Sequence, residues 1–432
     1  MFVTVHASTS QEIQDECIEL PSQDLWMTYI KNVHVVDGKL NEGRFCSALS
    51  SILDIYRVCC GSIEQTHLSQ GDPIFRIRLV NRPLSVEVVH DDRPLGLSNL
   101  VIQDDLNRFF CDATTFSETP LLQLKLSVCG NYTAIGVSWH HALGDATSLL
   151  RFMHTLSQLY QGLQPSYPAP SFRKHVFASP DTDILQRFGP MMPHLTGTFP
   201  VPEIYQRYAE RNQSMRRIDW YVTQGQASLI RDHANGLSSI PLSVQDCLTS
   251  YIVSTFNRCG YHTVSTVTNA TSYRDVAARF IDANVAGNYI YVIPTCLIMP
   301  TDGILSVAQK VRRSLLEARS PSFIESYMSV AGHHMLRAAT EDKKFFFGSD
   351  SNVLSVNSNL SFNWRSVHFG YPRGSRFYTT GISKFYLRVF KSNSDEAGIE
   401  LSLGVPENIY DLVMKTLQSD FSHLDFPDNI IS

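Results

Sequence analysis

The sequence predicts two α/β or α+β domains, and three observations carry that reading. Strands and helices alternate in both halves of the chain, residues 121–162 run strand, turn, strand, loop, helix, and a proline-rich tract at 163–202 separates the halves. A length of 432 residues exceeds what one compact core holds and suits two.

Taken in order, residues 1–20 are polar, and Leu25–Val35 and Phe45–Tyr56 carry helical or buried apolar spacing. Ile74–Leu79 and Leu84–His90 read as strands about a turn at Asn81-Arg82-Pro83. Leu122, Leu124, Leu126 and Val128 alternate with Gln123, Lys125 and Ser127, the period of a half-buried strand. Cys129-Gly130-Asn131 turns the chain and Thr133–Trp139 returns as a second strand. After Gly144 the period becomes helical: Leu149, Met153, Leu156 and Tyr160 share one face, and Gly162 supplies a stop. The tract 163–202 suits a long crossing connection more than a packed element, which gives an N-terminal domain over 1–185, a linker over 186–215 and a C-terminal domain over 216–432. In the second half Ser243–Cys259 and Ile304–Ala318 read as helices, and Ile290–Ile298, Leu360–Phe362 and Phe385–Phe390 as strands.

Composition narrows the function classes. The chain is 43% hydrophobic and 18% charged, enough for packed cores. A net charge of -5 without any basic run points away from nucleic acid and anionic membranes as partners. No apolar stretch approaches the roughly 18 residues that a membrane span needs. The nine cysteines are odd in number, scattered and without a CxxC pair, as free thiols of a reducing compartment are. Asn131-Tyr132-Thr133 and Asn269-Ala270-Thr271 read as chance glycosylation patterns, and the terminal Asn429-Ile430-Ile431-Ser432 is no targeting signal. The expectation is a soluble, monomeric, cytoplasmic protein.

Chemistry concentrates at His140-His141-Ala142-Leu143-Gly144-Asp145, in the loop where strand gives way to helix. Among 15 histidines a bare His-x-x-x-Asp arises about once by chance, and an isolated histidine is ordinarily a hydrogen-bonded structural residue. The strand-to-helix junction raises the functional reading, because a rigid scaffold there aims side chains outward. A neutral imidazole can take the proton of an attacking alcohol and return it to a departing thiolate. No serine or cysteine nucleophile is needed for an activated thioester, and no GxSxG elbow accompanies the loop. Adjacent histidines on an extended strand point to opposite faces, so a metal site is not expected.

The loop resembles the HxxxD motif of the BAHD acyltransferases and the HHxxxD form of peptide-synthetase condensation domains. Further segments agree in order. Ala48–Gly61 is similar to the early family helix and its Ala-Gly segment, Leu121–Gly162 to the strand, motif and helix, and Ser243–Arg258 to the helix opening the second half. Thr268–Arg274 followed by Ala286-Gly287-Asn288 resembles the arginine segment and its later Gly-Asn. Ser358, then His368-Phe369-Gly370-Tyr371-Pro372, has the spacing of the Ser-Trp and DFGWG segments. The departures are the lost acid, tryptophan and last glycine of DFGWG, Ala146 where the family often has glycine, and Cys59-Cys60-Gly61 in the early segment.

The resemblance implies two chloramphenicol-acetyltransferase-like domains, each a mixed sheet with flanking helices, about a channel with His141 at its middle. It implies direct transfer from acyl-CoA, chiefly acetyl-CoA, to a hydroxyl or amine of a small molecule, with no permanently bound cofactor. His141 is then the general base and Asp145 its partner in the motif, with Arg274 pairing Asp145 and His140 and Gly144 supporting the loop. Asn288, Ser358, Phe369 and Gly370 are candidates for contacts with substrate or CoA. A carrier-protein-dependent condensation-like enzyme, and a cyclase or binding protein that has lost acyl transfer, stand as alternatives.

Overall fold

The computed structural model describes residues 1–8, 16–66, 72–80, 82–91, 93–111, 120–259, 264–348, 350, 352–371, 375–394 and 397–422. Asn81 of the expected turn, Pro372 and the terminal 429–432 lie outside these residues.

Among the described residues two six-stranded mixed sheets form the body of the molecule, beside a three-stranded and a two-stranded sheet. The first runs in the spatial order Phe2–Val5, Leu84–Asp91, Leu122–Cys129, Tyr132–His140, Tyr29–Val36 and Ser375–Thr379. The turn expected at Gly130 joins Leu122–Cys129 to Tyr132–His140 as an antiparallel hairpin, and Gly130 takes φ +58°. The strand Leu122–Cys129 is covered on both faces rather than one: Gln123 and Ser127 are buried as well as the leucines. Lys125 remains tolerable there because Glu87 of the parallel neighbour pairs with it at 2.8 Å.

Helix Glu42–Ile55 packs against helix Ala146–Tyr160, and both cover this sheet through Phe45, Leu49, Ile52, Leu149, Met153 and Leu156. Asp145 caps the second helix by accepting from the N–H groups of Thr147 and Ser148, and beyond its end Gly162 takes φ +74°.

The second sheet runs Met215–Thr223, Gly398–Pro406, Tyr386–Lys391, Val353–Ser358, Thr266–Ser272 and Ile290–Pro294. Its core lies under helices Val244–Arg258, Ile304–Glu317 and Glu407–Ser422. The helix Val244–Arg258 starts at a capping box in which Ser243 and Asp246 exchange hydrogen bonds.

Of the two readings left open for Leu25–Val35, the overlapping Tyr29–Val36 takes the buried apolar one, as a strand paired in register with Tyr132–His140. Other expectations are corrected. Leu360–Phe362 is a turn, since the preceding strand ends at Ser358, and the strand from Ile290 stops at Pro294. The crossing tract is not bare: Thr182–Phe188, Pro193–Thr196 and Val201–Arg211 are helical. Nor do the sheets follow the chain division at 185 and 216. Ser375–Thr379 from the second half is the edge strand of the first sheet, and Tyr273, Tyr291 and Tyr327 join the first core.

Among the described residues no helix is long and apolar enough to cross a membrane. The nine cysteines form no disulfide.

Candidate active site

The strand Tyr132–His140 ends at His140, and His141–Leu143 makes one tight helical turn before Gly144. Gly144 takes φ +131°, and a Cβ there would meet Ser148 and lie 2.9 Å from the backbone nitrogen of Gly287. Glycine is therefore required where the loop presses against the second half of the chain. The Trp139 indole N–H holds the Gly144 carbonyl at 2.9 Å, and the His141 N–H is tied to the Thr28 carbonyl at 2.7 Å.

His141 is oriented by Asn288. The amide Nδ2 of Asn288 donates to the His141 carbonyl at 2.8 Å, so its Oδ1 faces Nδ1 of the ring at 2.7 Å. An amide oxygen only accepts, so Nδ1 carries the proton and Nε2 keeps its lone pair. Burial lowers the His141 pKa, and the hydrogen bond to Asn288 acts in the opposite sense. The ring is thereby neutral at physiological pH with its basic nitrogen defined. His140 has different neighbours: its Nδ1 accepts from the Ala142 N–H at 3.1 Å, its ring packs edge-on to Tyr29, and burial pushes its pKa down to about 3.

Asp145 turns away into the second half. Its carboxylate receives Arg274 Nη2 on Oδ1 at 3.0 Å and Arg274 Nε on Oδ2 at 3.2 Å, along with the Tyr289 N–H at 3.1 Å. Arg274 also donates to the carbonyls of Gly287 and Val285, and its guanidinium lies 4.4 Å from the centre of the Tyr289 ring. One carboxylate thus serves as helix cap and as ion-pair partner at once.

Two residues that sequence reasoning passed over complete the network. Asp24 accepts from the Asn288 backbone N–H at 3.0 Å and pairs with Lys174 at 2.6 Å, both side chains being buried. Lys174 in turn donates to the Ala142 carbonyl at 2.8 Å. The loop is clamped at Ala142 by Lys174 and at Asp145 by Arg274. Nothing local in the sequence marks Asp24 or Lys174, since each acts through partners at least 32 residues away.

His141 lines a cavity of about 960 Å³ between the sheets, together with Asn269, Ser272, Ser358 and Thr380. Ser358, a candidate for contact with substrate or CoA, lines this cavity. Asn288, a candidate for substrate contact, packs against His141, to which its amide nitrogen donates and its amide oxygen faces. Phe369 and Gly370 are removed from the cavity. Phe369 is buried against Phe45 and Tyr160 with its N–H on the Ser157 hydroxyl, and Gly370 sits in the same turn at φ +87°. That segment braces the ends of two helices. Tyr371 continues the brace through its hydroxyl to the Lys39 carbonyl at 2.9 Å.

The described residues hold no group of three or more His, Cys, Asp or Glu side chains placed to bind a metal.

No protein-family model matches the chain. Vinorine synthase has the same fold, with a TM-score of 0.65 at 15% identity over 97% of each chain. So does TRI101 of F. graminearum in complex with ethyl coenzyme A, with a TM-score of 0.65 at 12% identity over 95% of this chain and 98% of that one. Protein ECERIFERUM 2 of Arabidopsis thaliana is 46% identical over 54 residues, which is 12% of this chain and 13% of that relative's length.

Proposed function

We propose that this chain is a BAHD-type acyltransferase, moving an acyl group from coenzyme A directly onto a hydroxyl or amine with His141 as general base. The observation that supports this best is the fixed tautomer of His141, whose Nδ1–H is held by Asn288 while the residue fronts the large cavity. In the step we infer, the acceptor oxygen bonds the thioester carbonyl carbon as its proton passes to Nε2. The tetrahedral intermediate then collapses, the carbon–sulfur bond breaks, and the same proton goes to sulfur to release free coenzyme A. Holding both reactants in one cavity supplies much of the rate through proximity.

The fold shared with a structure holding ethyl coenzyme A, and with TRI101 bound to coenzyme A and T-2 mycotoxin, supports the same reading. It extends to a monomeric cytoplasmic enzyme acting on a secondary metabolite, with acetyl-CoA as the first donor to try and no resident cofactor. The test is incubation of the full chain with acetyl-CoA and a panel of hydroxylated and amino metabolites, following thiol release and product mass. Transfer by the wild type and its loss in His141→Ala is the expected result. Transfer that survives in His141→Ala would overturn the assignment of the base.

A further inference from the structure

The cavity that holds His141 also holds a cation without a counter-charge. Arg388, a half-buried residue of the strand Tyr386–Lys391, lines it beside Asn357, Ser358 and Asn359. Its Nη1 donates to the carbonyls of Thr380 and Gly381, the latter at 3.0 Å, and its guanidinium lies 5.0 Å from the centre of the Phe390 ring. The opposite edge of the fork is unused: Nε–H is buried with no acceptor, and no carboxylate pairs with the side chain among the described residues.

The acidic residues nearest in register are committed elsewhere. Arg388 pairs with Ser402, which pairs with Asp219, and Asp219 is taken by Arg217 at 2.7 Å and by the Ser402 hydroxyl at 2.7 Å. Glu400, two residues along, accepts the Val101 N–H at 2.8 Å. The other cations of the wall differ. Arg274 is matched by Asp145 and Arg319 by Asp275, while Lys31 is exposed to solvent.

A guanidinium does not lose its proton in a protein, so Arg388 brings a permanent positive charge to the cavity wall. Removing such a charge from water without a partner is unfavourable, and a bound anion offsets it. Arg388 lines the cavity, where a carboxylate would accept a charge-assisted hydrogen bond from its guanidinium.

We propose that Arg388 is a carboxylate-recognising residue, and that one of the two substrates places a carboxylate against it. The carboxylate belongs either to the acyl group of a dicarboxylic acyl-CoA or to an acceptor that is a hydroxy acid or amino acid. The inference rests on the acyltransfer reading for its substrate roles, but not for its binding chemistry.

The experiment therefore starts without turnover. Malonate and succinate are titrated into the full chain and into Arg388→Gln and Arg388→Lys, reading heat of binding and Tm. Saturable binding by the wild type, weakened at least tenfold in Arg388→Gln and less in Arg388→Lys, is expected. Arg388→Gln itself should melt no lower than the wild type, since it removes an uncompensated charge. Equal binding by wild type and Arg388→Gln, or none to either, overturns the proposal. So does a loss confined to coenzyme A, which would assign the cation to a phosphate.

Turnover then separates the two sources. A fall in Arg388→Gln of at least tenfold in the ratio of kcat/KM for malonyl- or succinyl-CoA to that for acetyl-CoA assigns the acyl group. The same fall in the ratio for carboxylated to neutral acceptors assigns the acceptor. Arg388-dependent malonate binding without any transfer keeps the subsite and rejects the acyltransfer reading.

Discussion

Arg274 reaches Asp145 across 129 residues of sequence and meets both carboxylate oxygens, with Nη2 at 3.0 Å from Oδ1 and Nε at 3.2 Å from Oδ2. Both side chains are largely shielded, so removing one leaves the other as an unpaired charge. Asp145→Asn should cost about 3–5 kcal/mol in stability and also lower activity. Asparagine caps a helix about as well as aspartate, so this loss belongs to the ion pair and not to the cap. Arg274→Lys should follow Asp145→Asn, since an ammonium cannot reproduce the two-point contact. Urea unfolding of Asp145→Asn, Arg274→Gln and the double variant checks this. Additive effects would remove the pair from the account of the loop.

The two histidines should separate cleanly. His141→Ala is expected to lower turnover by about 10²–10⁴-fold while Tm hardly moves. His140 is buried and supports the Ala142 N–H, so His140→Ala should mainly lower Tm. Steady-state kinetics and thermal melts on both variants decide, and equal kinetic losses would mean that the pair acts jointly.

Asn288 gives the tautomer argument its own readout. Asn288→Ala should reduce kcat by at least about tenfold, which is about 1.4 kcal/mol of barrier. Asn288→Asp places a carboxylate beside Nδ1 and raises the imidazole pKa, so the acid limb of the rate profile should move to higher pH. In the wild type burial depresses that pKa, and activity should persist to pH values below the ordinary imidazole range. A pH profile with the same acid limb in the wild type and Asn288→Asp would argue against the contact.

Glu400 carries a separate pH dependence. Burial pushes its carboxyl up to about 7, against the Val101 N–H that favours the anion. The native state thus holds a proton that the unfolded chain releases nearer pH 4.3, and stability falls as pH rises between those values. The contribution is about 4 kcal/mol at most. Relative to wild type, Glu400→Gln should gain stability steadily from pH 4.5 to 7 and level off above. Buried neutral histidines such as His34 and His140 act in the opposite sense, losing stability as pH falls below the imidazole range, and they cancel in this comparison. Chemical denaturation across that window is the measurement.

The site was legible in the sequence where it is local. The strand–loop–helix around His141 shows in the switch of apolar period between Val128 and Leu149, and Gly162 ends the helix as its position suggests. The Asp145–Arg274 pair follows from family resemblance rather than from spacing, and the two side chains lie 3.0 Å apart. Asp24 and Lys174 were not legible, because a buried ion pair leaves no period behind it. The packing of Asn288 against His141 and of Phe369 against Tyr160 is not legible for a related reason: residue type alone does not tell a side chain that faces a ligand from one that faces a neighbour. The long helix Pro321–Thr340 went unread although Ser320-Pro321 is a sound start signal, with Ser320 accepting from Phe323 at 3.3 Å.

The placement of Ser375–Thr379 beside Tyr29–Val36 has a consequence for how the molecule is made. Synthesis delivers the N-terminal part first, and that part tends to collapse before the rest has left the ribosome. Here the strand holding Val33 and Val35 keeps one row of backbone groups open until nearly the whole chain has emerged. An open row of that kind invites pairing with a neighbouring nascent chain. The nascent protein is therefore exposed to such pairing until Ser375–Thr379 arrives, and fragments that stop before residue 375 keep the same edge open.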